Sequence, residues 1–276
     1  MPIIHITLDT SASASDVESL IHKLGLPIHT DNAESCDYLL SAATSGLSLV
    51  PAAGQGYGAI TCDFVSGAHS HRRRFGGGNG QAIAKAIGVS GKFSPQVLDL
   101  TAGLGGDGFV LASLGCSVTL LERNPIVHCL LADGLRRACS AAQDDSELAA
   151  IMARLTLIET DSGDYLESLV QRKTSCDLAG DGRRDALQPD VVYIDPMFPE
   201  RKKTAKVKKE MQAFHAIVGA DIDAYNLLEK ALSVAVYRVV VKRPSGAEFL
   251  NDKKPSYSLD GKSTRYDIYT LKKLPS

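Results

Sequence analysis

The sequence predicts a Rossmann-like α/β fold, in which a mostly parallel central sheet carries helices on both faces, joined to a small N-terminal α+β domain. From about residue 95 onward, continuous apolar runs alternate with helical patterns. Such runs are typical of parallel strands that are buried on both faces. A glycine-rich turn follows the first of these strands, at the edge where open parallel sheets bind their ligands. The predicted domains are residues 1–88 and 89–276.

Composition narrows the class of protein. Of the 276 residues, 44% are hydrophobic and 22% are charged, which is typical of a folded globular protein. The net charge of −2 excludes a uniformly basic nucleic-acid coat but is compatible with local basic patches. The six cysteines and seven histidines show no metal-ligand spacing, so no metal is expected. Neither a secretion signal nor an apolar run of the ~20 residues that cross a bilayer is present, which predicts a cytoplasmic protein without a membrane partner.

The N-terminal region carries short strand patterns and two helix patterns. Its apolar runs predict strands at 3–8, 38–43, 47–50 and 59–65. One helix is predicted from Asp16, as its N-cap, to Gly25, and a second one ends at Gly88.

The larger region predicts six strands, at 97–100, 117–122, 155–159, 191–195, 237–243 and 265–271. Helices are predicted over 106–115, from the N-cap Asn124 to about residue 142, and from 161–162 as far as Leu169. Pro125 supports the second helix, because proline is favoured at the first helical position. The polar, glycine-containing stretch 173–189 predicts a long surface loop.

The stretch LDLTAGLGGDGF (98–109) is the sharpest local signal. Its strand reaches Asp99, and Gly103 and Gly105 then permit a tight turn and a close approach of a ligand to the backbone. A helix opens near Gly106, and Asp107 lies in its first turn. Free N–H groups at such a helix end can also contact a ligand. The alternative is a tight strand-to-helix turn without a ligand.

The same glycines are compatible with two cofactors, a nicotinamide dinucleotide and S-adenosylmethionine. Gly103, Gly105 and Gly108 match the G-x-G-x-x-G pattern of nicotinamide dinucleotide sites. However, the carboxylates of Asp99 and Asp107 would repel a pyrophosphate and suit a ligand that carries an ammonium or a sulfonium. The two aspartates therefore favour S-adenosylmethionine.

Acidic residues also end the next two strands. Glu122 ends the strand 117–122, where a carboxylate can accept both ribose hydroxyls of either cofactor. Asp161 and Ser162 follow the strand 155–159 and can bind an adenine amino group. Either residue can instead cap the following helix, and the two roles are compatible.

The segment VVYIDPMFP (191–199) is the second sharp signal. Asp195 and the carbonyl of Pro196 offer two acceptors that can hold the protons of a planar exocyclic amine, so that its lone pair faces an electrophile. Proline stiffens the loop, and Phe198 can stack on the base that carries the amine. In-line methyl transfer needs positioning more than a strong base. The alternative is an Asp-Pro turn at a strand end with Phe198 as core filler.

Together these blocks resemble the Rossmann-like class I S-adenosylmethionine-dependent methyltransferases, and the Asp-Pro-x-aromatic step resembles the subset that methylates amines. More narrowly, the blocks TAGLGGDGF, LLERNP, YIDPMFP, VKKEM and RVVVKRP resemble the RsmJ family of bacteria, over about 63–271. The resemblance implies methylation of the exocyclic N2 amine of a guanosine in 16S ribosomal RNA. It also implies cofactor contacts at Gly106, Asp107, Glu122, Arg123, Asp161, Ser162 and Asp195. Gly106 replaces an arginine of some relatives, so only a backbone contact is expected there.

Clusters of basic residues predict contacts with phosphates of RNA. The stretch 200–209, directly after the DPMFP segment, holds six basic residues and one acid. The candidate RNA-binding residues are Arg72, Arg73, Arg74, Arg201, Lys202, Lys203, Lys206, Lys208 and Lys209. The expected partner is 16S ribosomal RNA or the small ribosomal subunit, whereas Lys253 and Lys254 are interpreted as solvated surface.

Three other functions stay open on the sequence alone. DPMFP departs from the commoner acid-Pro-Pro-aromatic form, so the target could be an amine of DNA adenine or of a protein. The glycine pattern alone permits a nicotinamide-dependent oxidoreductase. A non-catalytic RNA-binding assembly factor on the same scaffold is the third, because function depends on the site rather than on the fold.

Overall fold

A computed structural model of the protein describes residues 2–8, 14–29, 36–52, 58–66, 81–179, 188–197 and 224–275. The strands are β1 (Ile4–Leu8), β2 (Tyr38–Ala43), β3 (Gly46–Pro51), β4 (Gln96–Asp99), β5 (Ser117–Glu122), β6 (Leu155–Glu159), β7 (Val191–Ile194), β8 (Arg238–Pro244), β9 (Tyr257–Asp260) and β10 (Thr264–Thr270). The helices are α1 (Ala14–Leu24), α2 (Ala82–Ile87), α3 (Gly106–Ser113), α4 (Pro125–Ala141), α5 (Ser146–Met152), α6 (Ser162–Ala179) and α7 (Ala224–Val234).

The large sheet has the strand order β6-β5-β4-β7-β8-β10-β9. The first five of these strands are parallel, and β10 runs antiparallel to both of its neighbours. Helices α2 to α5 pack on one face of the sheet, and α6 and α7 pack on the other. Each face has its own apolar core. This architecture confirms the predicted Rossmann-like fold. The strand order reverses between β4 and β7, and ligands bind at such a switch point in open α/β sheets.

The small sheet pairs β1 with β2 in parallel and β2 with β3 antiparallel. Its buried residues Ile6, Leu40 and Leu49 form one apolar core with Ile126 and Leu130 of α4. The small sheet therefore packs on that helix. Cys62 and Phe64, which precede the predicted boundary, belong instead to the core of the large sheet. The division at residue 88 stays a proposal.

Two predicted helix ends are explained by local hydrogen bonds. Asn124 caps α4, because its Oδ1 accepts from the backbone N–H of Ile126 and of Val127 at 3.1 and 3.2 Å. Gly88 ends α2 in the left-handed region, with φ of 88°, which glycine adopts at little cost.

Some predicted boundaries are wrong. Helix α1 begins at Ala14, so Asp16 lies inside it rather than at its N-cap. In the predicted strand 59–65 only Ile60 forms a bridge, because the Asp63 carboxylate accepts N–H groups of Val65 and Ser66 and turns the chain.

The predicted loop 173–189 is wrong in its first part. Helix α6 continues to Ala179, and Lys173 Nζ ties it to α7 by donating to the Ser233 carbonyl at 2.7 Å. Residues 180–187 lie outside the described ones. Of the helices in the described part of the chain, none combines the length and the apolarity that a membrane crossing requires.

Candidate active site

The two sequence signals meet at the carboxyl edge of the large sheet. Asp99, the last residue of β4, is 2% exposed, and its Oδ1 accepts the backbone N–H of Thr101 at 3.0 Å. The Thr101 Oγ1 in turn accepts the backbone N–H of Asp195 at 2.7 Å. Asp195 directly follows β7, the neighbour of β4 at the switch point. One threonine therefore joins the glycine loop to the Asp-Pro segment at the switch point, where sheets of this kind form a ligand-binding cleft.

The glycine loop takes a conformation that its glycines make possible. Gly103 and Gly105 have φ of 55° and 74°, in the left-handed region. A Cβ on Gly105 would also lie 2.7 Å from Leu131 Cδ1 and 3.2 Å from Phe64 Cζ. Gly105 is the N-cap of α3, and Gly106 is the first residue of that helix. Both backbone conformation and packing thus require glycine at position 105.

Glu122 holds the loop from the next strand. Its side chain is largely buried, with Oε2 accepting the N–H of Gly103 at 3.0 Å and Oε1 accepting that of Asn124 at 2.8 Å. A carboxylate has about four acceptor positions, so these bonds are compatible with ribose contacts. The role of Glu122 in ribose binding stays a prediction.

Asp161 and Ser162 stabilise the start of α6. Asp161 Oδ1 accepts the N–H groups of Gly163 and Asp164 at 2.8 and 3.3 Å, which confirms the predicted cap. Its Oδ2 lies 3.5 Å from the guanidinium of Arg123. The Ser162 hydroxyl donates to the Leu100 carbonyl at 2.5 Å and so ties the helix to the cleft rim. Adenine binding by this pair stays a prediction.

Lys242 also belongs to the site, although it was not among the predicted site residues. Its Nζ lies 2.7 Å from Asp107 Oδ2 and 2.7 Å from Asp195 Oδ2. The Tyr193 hydroxyl donates to the same Asp107 oxygen at 2.7 Å. Lys242 interrupts the apolar run RVVVKRP on β8, beside β7, and a lysine at that place in a buried strand is the signal that could have identified it. The cation connects the glycine loop to the Asp-Pro segment a second time.

The cleft combines three carboxylates with one ammonium. The pKa of Asp99 is raised to about 8, mainly by burial and also by the nearby charges of Asp107 and Asp195, while the Thr101 N–H and Lys242 oppose the rise. Burial alone would lower the pKa of Lys242, but its attraction to Asp195 and Asp107 outweighs this and raises it, so the ammonium is retained. Burial and the same two aspartates raise the pKa of Tyr193, which keeps its phenol as a donor. The surplus of negative charge suits a positively charged ligand.

Several predicted site residues are not placed. Pro196 is buried directly after Asp195. Phe198 and all of the candidate RNA-binding residues (72–74 and 201–209) lie outside the described residues.

The fold and the cleft define the class: a Rossmann-like protein whose acidic switch-point site fits a nucleoside cofactor with positive charge, as in S-adenosylmethionine-dependent methyltransferases. The sequence model of a protein family described as "Putative SAM-dependent methyltransferase" matches residues 19–271. A protein of Cellvibrio japonicus called ribosomal RNA small subunit methyltransferase J is 48% identical over 271 residues, which cover 96% of this chain and 97% of that protein. The chain therefore belongs to this family of S-adenosylmethionine-dependent methyltransferases.

Further relatives agree with this membership. The protein of the same name from Pseudomonas aeruginosa (strain LESB58) is 46% identical, in an alignment that covers 99% of this chain and 97% of that protein. The crystal structure of a SAM-dependent methyltransferase from Neisseria gonorrhoeae has a TM-score of 0.70 at 36% identity, covering 96% of this chain and 95% of that one. The alternative of a nicotinamide-dependent oxidoreductase is not favoured.

The residues present fit S-adenosylmethionine, which is the cofactor of this enzyme family. The buried Asp99 carboxylate is short of compensating positive charge, which an ammonium or sulfonium supplies. Gly103 and Gly105 carry no side chain, so a ligand can approach the backbone closely at these two positions. The Glu122 carboxylate ends the neighbouring strand, as a ribose-binding acid requires.

Proposed function

We propose that this enzyme methylates the exocyclic N2 amine of a guanosine in 16S ribosomal RNA, with S-adenosylmethionine as the methyl donor. The names of its relatives support ribosomal RNA of the small subunit as the substrate. The observation that carries the mechanism is the linkage of Asp99 and Asp195 through Thr101, because it brings the cofactor loop and the amine-binding segment into one cleft. The partner is the RNA itself or the small ribosomal subunit, and the location is the cytoplasm.

Asp195 and the Pro196 carbonyl are proposed to hold the amine. Each accepts one N–H of the exocyclic nitrogen, which aims the lone pair at the methyl group. Phe198 stacks on the guanine, which an enzyme must take out of a duplex before it can approach this amine in line. The cofactor supplies an electrophilic methyl group on a sulfonium. The nitrogen gains the methyl and becomes acidic, and it then loses one proton without a strong base.

The remaining acids are proposed to hold the cofactor. Asp99 and Asp107 attract its positive groups, Glu122 accepts its ribose hydroxyls, and Asp161 with Ser162 and Arg123 borders its adenine. Gly103, Gly105 and Gly106 let the backbone approach it. Lys242 is a positioning residue in this scheme, since it fixes Asp195 relative to Asp107.

The decisive experiment is methyl transfer from labelled cofactor to ribosomal RNA of a strain that lacks this protein. We expect label in the small-subunit RNA and a nucleoside with the mass and retention of N2-methylguanosine. Naked RNA and assembled subunits are assayed side by side. Label in another nucleoside, or in protein, would contradict the proposed target.

Asp99→Asn is expected to stabilise the cofactor-free protein and to weaken cofactor binding. Because the pKa of Asp99 rises from 3.8 to about 8 on folding, its contribution to stability is present below pH ~4 and is lost as pH rises through 8. The asparagine of the variant does not ionise, so the variant does not lose this stability. Its melting temperature should exceed that of the wild type by a margin that grows between pH 5 and 8.5. At pH 8.5 we expect a gain of at least about 2–4 °C, which corresponds to roughly 1 kcal/mol in a large domain.

Thermal unfolding across pH and calorimetric titration with S-adenosylmethionine check both parts. Asp164→Asn is the control, since Asp164 is exposed in the first turn of α6. A difference in melting temperature between Asp99→Asn and the wild type that is independent of pH would contradict the assignment of a raised pKa to Asp99.

Alanine at the five lysines after the DPMFP segment should flatten the salt dependence of RNA binding. The slope of log affinity against log salt is about −0.7 per contacted phosphate for a single strand. Loss of all five contacts should therefore reduce the slope by up to about 3.5. The residues are Lys202, Lys203, Lys206, Lys208 and Lys209.

Filter binding at several salt concentrations measures this slope. The double variant of Lys253 and Lys254 is the matched control, because both side chains are exposed and Lys253 pairs with Glu229 at 2.8 Å. An unchanged slope in the five-lysine variant would remove these residues from the interface.

A further inference from the structure

A cluster of potential metal ligands lies in the small N-terminal sheet, although their spacing in the sequence did not indicate one. One ring nitrogen each of His5 and His29 and the Sγ of Cys36 lie within 4.8 Å of one another. His5 belongs to β1, His29 follows α1, and Cys36 precedes β2. Three separate segments thus deliver two imidazoles and one thiol to the same point.

The two histidines have unsatisfied nitrogens. His5 is only 6% exposed, and its Nδ1 has no hydrogen-bond partner among the described residues. The buried Nδ1 of His29 has none there either. Buried polar atoms without a partner are rare in proteins, and each one calls for an ordered water, an ion or a functional role. A bound cation would use this lone-pair capacity.

The backbone holds the three segments in place. The N–H of Ile6 donates to the Pro27 carbonyl at 2.8 Å, and the N–H of His29 donates to the Ile6 carbonyl at 2.7 Å. On the other side of β1, the N–H of Asp37 donates to the Ile3 carbonyl at 2.8 Å. These bonds hold the residues that carry or adjoin the three ligands next to one another.

We propose that His5, His29 and Cys36 bind a zinc ion, with water in the fourth position. Two imidazoles and a thiolate are ligands that Zn²⁺ prefers. Zinc bonds of about 2.0 Å to nitrogen and 2.3 Å to sulfur place tetrahedral ligands roughly 3.3–3.6 Å apart, so the cluster must contract by about 1 Å. The ion would fasten β1 to the chain on both sides of it and so stabilise a sheet of three short strands. This site is independent of the proposed methyl transfer.

The test uses the full-length protein, purified without a polyhistidine tag and stripped of metal by a chelator. Zn²⁺ is titrated in competition with a chromophoric chelator, and Co²⁺ is used separately as a spectroscopic probe. We expect one Zn²⁺ per chain and a thiolate-to-cobalt charge-transfer band. Cys36→Ser should abolish the band, and His29→Ala should weaken Zn²⁺ binding at least about 100-fold, because even residues that only orient metal ligands contribute about 10–100-fold.

His22→Ala and Cys139→Ser are the matched controls, since both side chains are exposed and neither belongs to the cluster. A cooperative thermal transition shows that each variant folds, and Zn²⁺ should raise its midpoint in the wild type and the controls only. No stoichiometric binding, or equal losses in the controls and the cluster variants, would overturn the proposal.

Discussion

Asp195→Ala is expected to lower kcat for methyl transfer by about 10²–10³-fold, the loss that follows removal of one preorganised group from an active site. The variant loses the carboxylate proposed to hold the target amine. The fold should persist, because the contact with Thr101 is made by the backbone N–H of residue 195 and Lys242 keeps its bond to Asp107. Single-turnover transfer of labelled methyl to ribosomal RNA measures the effect.

The Asp195→Ala variant also distinguishes a role in positioning the target amine from a role in binding the RNA. RNA affinity should change little, because phosphate contacts supply most of it. Asp190→Ala is a suitable control, since Asp190 precedes the same strand at its opposite end, where its Oδ2 accepts the Gln96 N–H at 2.8 Å. Turnover of Asp195→Ala at the rate of the wild type would end the argument that this residue positions the amine.

Strands were easier to predict than short helices, for a physical reason. The segments 38–43, 117–122 and 155–159 were predicted with the bounds that the structure has, because each is an apolar run that ends at polar or turn residues. Strand β9 was missed, since its sequence YSLD is partly exposed at the sheet edge. Helices α5 and α7 were also missed, although buried Leu148 and Leu228 mark their inner faces.

Within the candidate site, residues that follow apolar strands could be predicted, whereas their long-range partners could not. Asp99 and Asp195 stand at strand ends, so local sequence places them at one edge of the sheet. Lys242 is 135 residues from Asp107 and 47 from Asp195 along the chain. Only the strand order, which sets β8 beside β7, brings its ammonium to both carboxylates.

Lys242→Met is expected to destabilise the protein and to impair methyl transfer more than cofactor binding. It leaves Asp107 and Asp195 without their shared cation, beside the buried Asp99. Breaking a buried ion pair costs about 3–5 kcal/mol, and the 25% exposure of the Lys242 side chain reduces the expected cost to about 2–3 kcal/mol. A loosened Asp195 should lower kcat at least tenfold, in the manner of a displaced positioning group.

The pH dependence of this variant distinguishes positioning by charge from mere packing. Lys242 lowers the pKa of Asp99, so its removal raises that pKa further and enlarges the stability that is lost as pH rises. The melting temperature of the variant should therefore fall further below that of the wild type as pH rises above about 8, where Asp99 ionises in the folded wild type but not yet in the variant. Asp107→Asn combined with Lys242→Met should recover part of the stability, because it removes one of the two carboxylates that lost this cation. Lys253→Met serves as the control, since its ion pair is largely exposed. A loss of stability that is the same at every pH, with kcat preserved, would mean that Lys242 only fills space in the cleft.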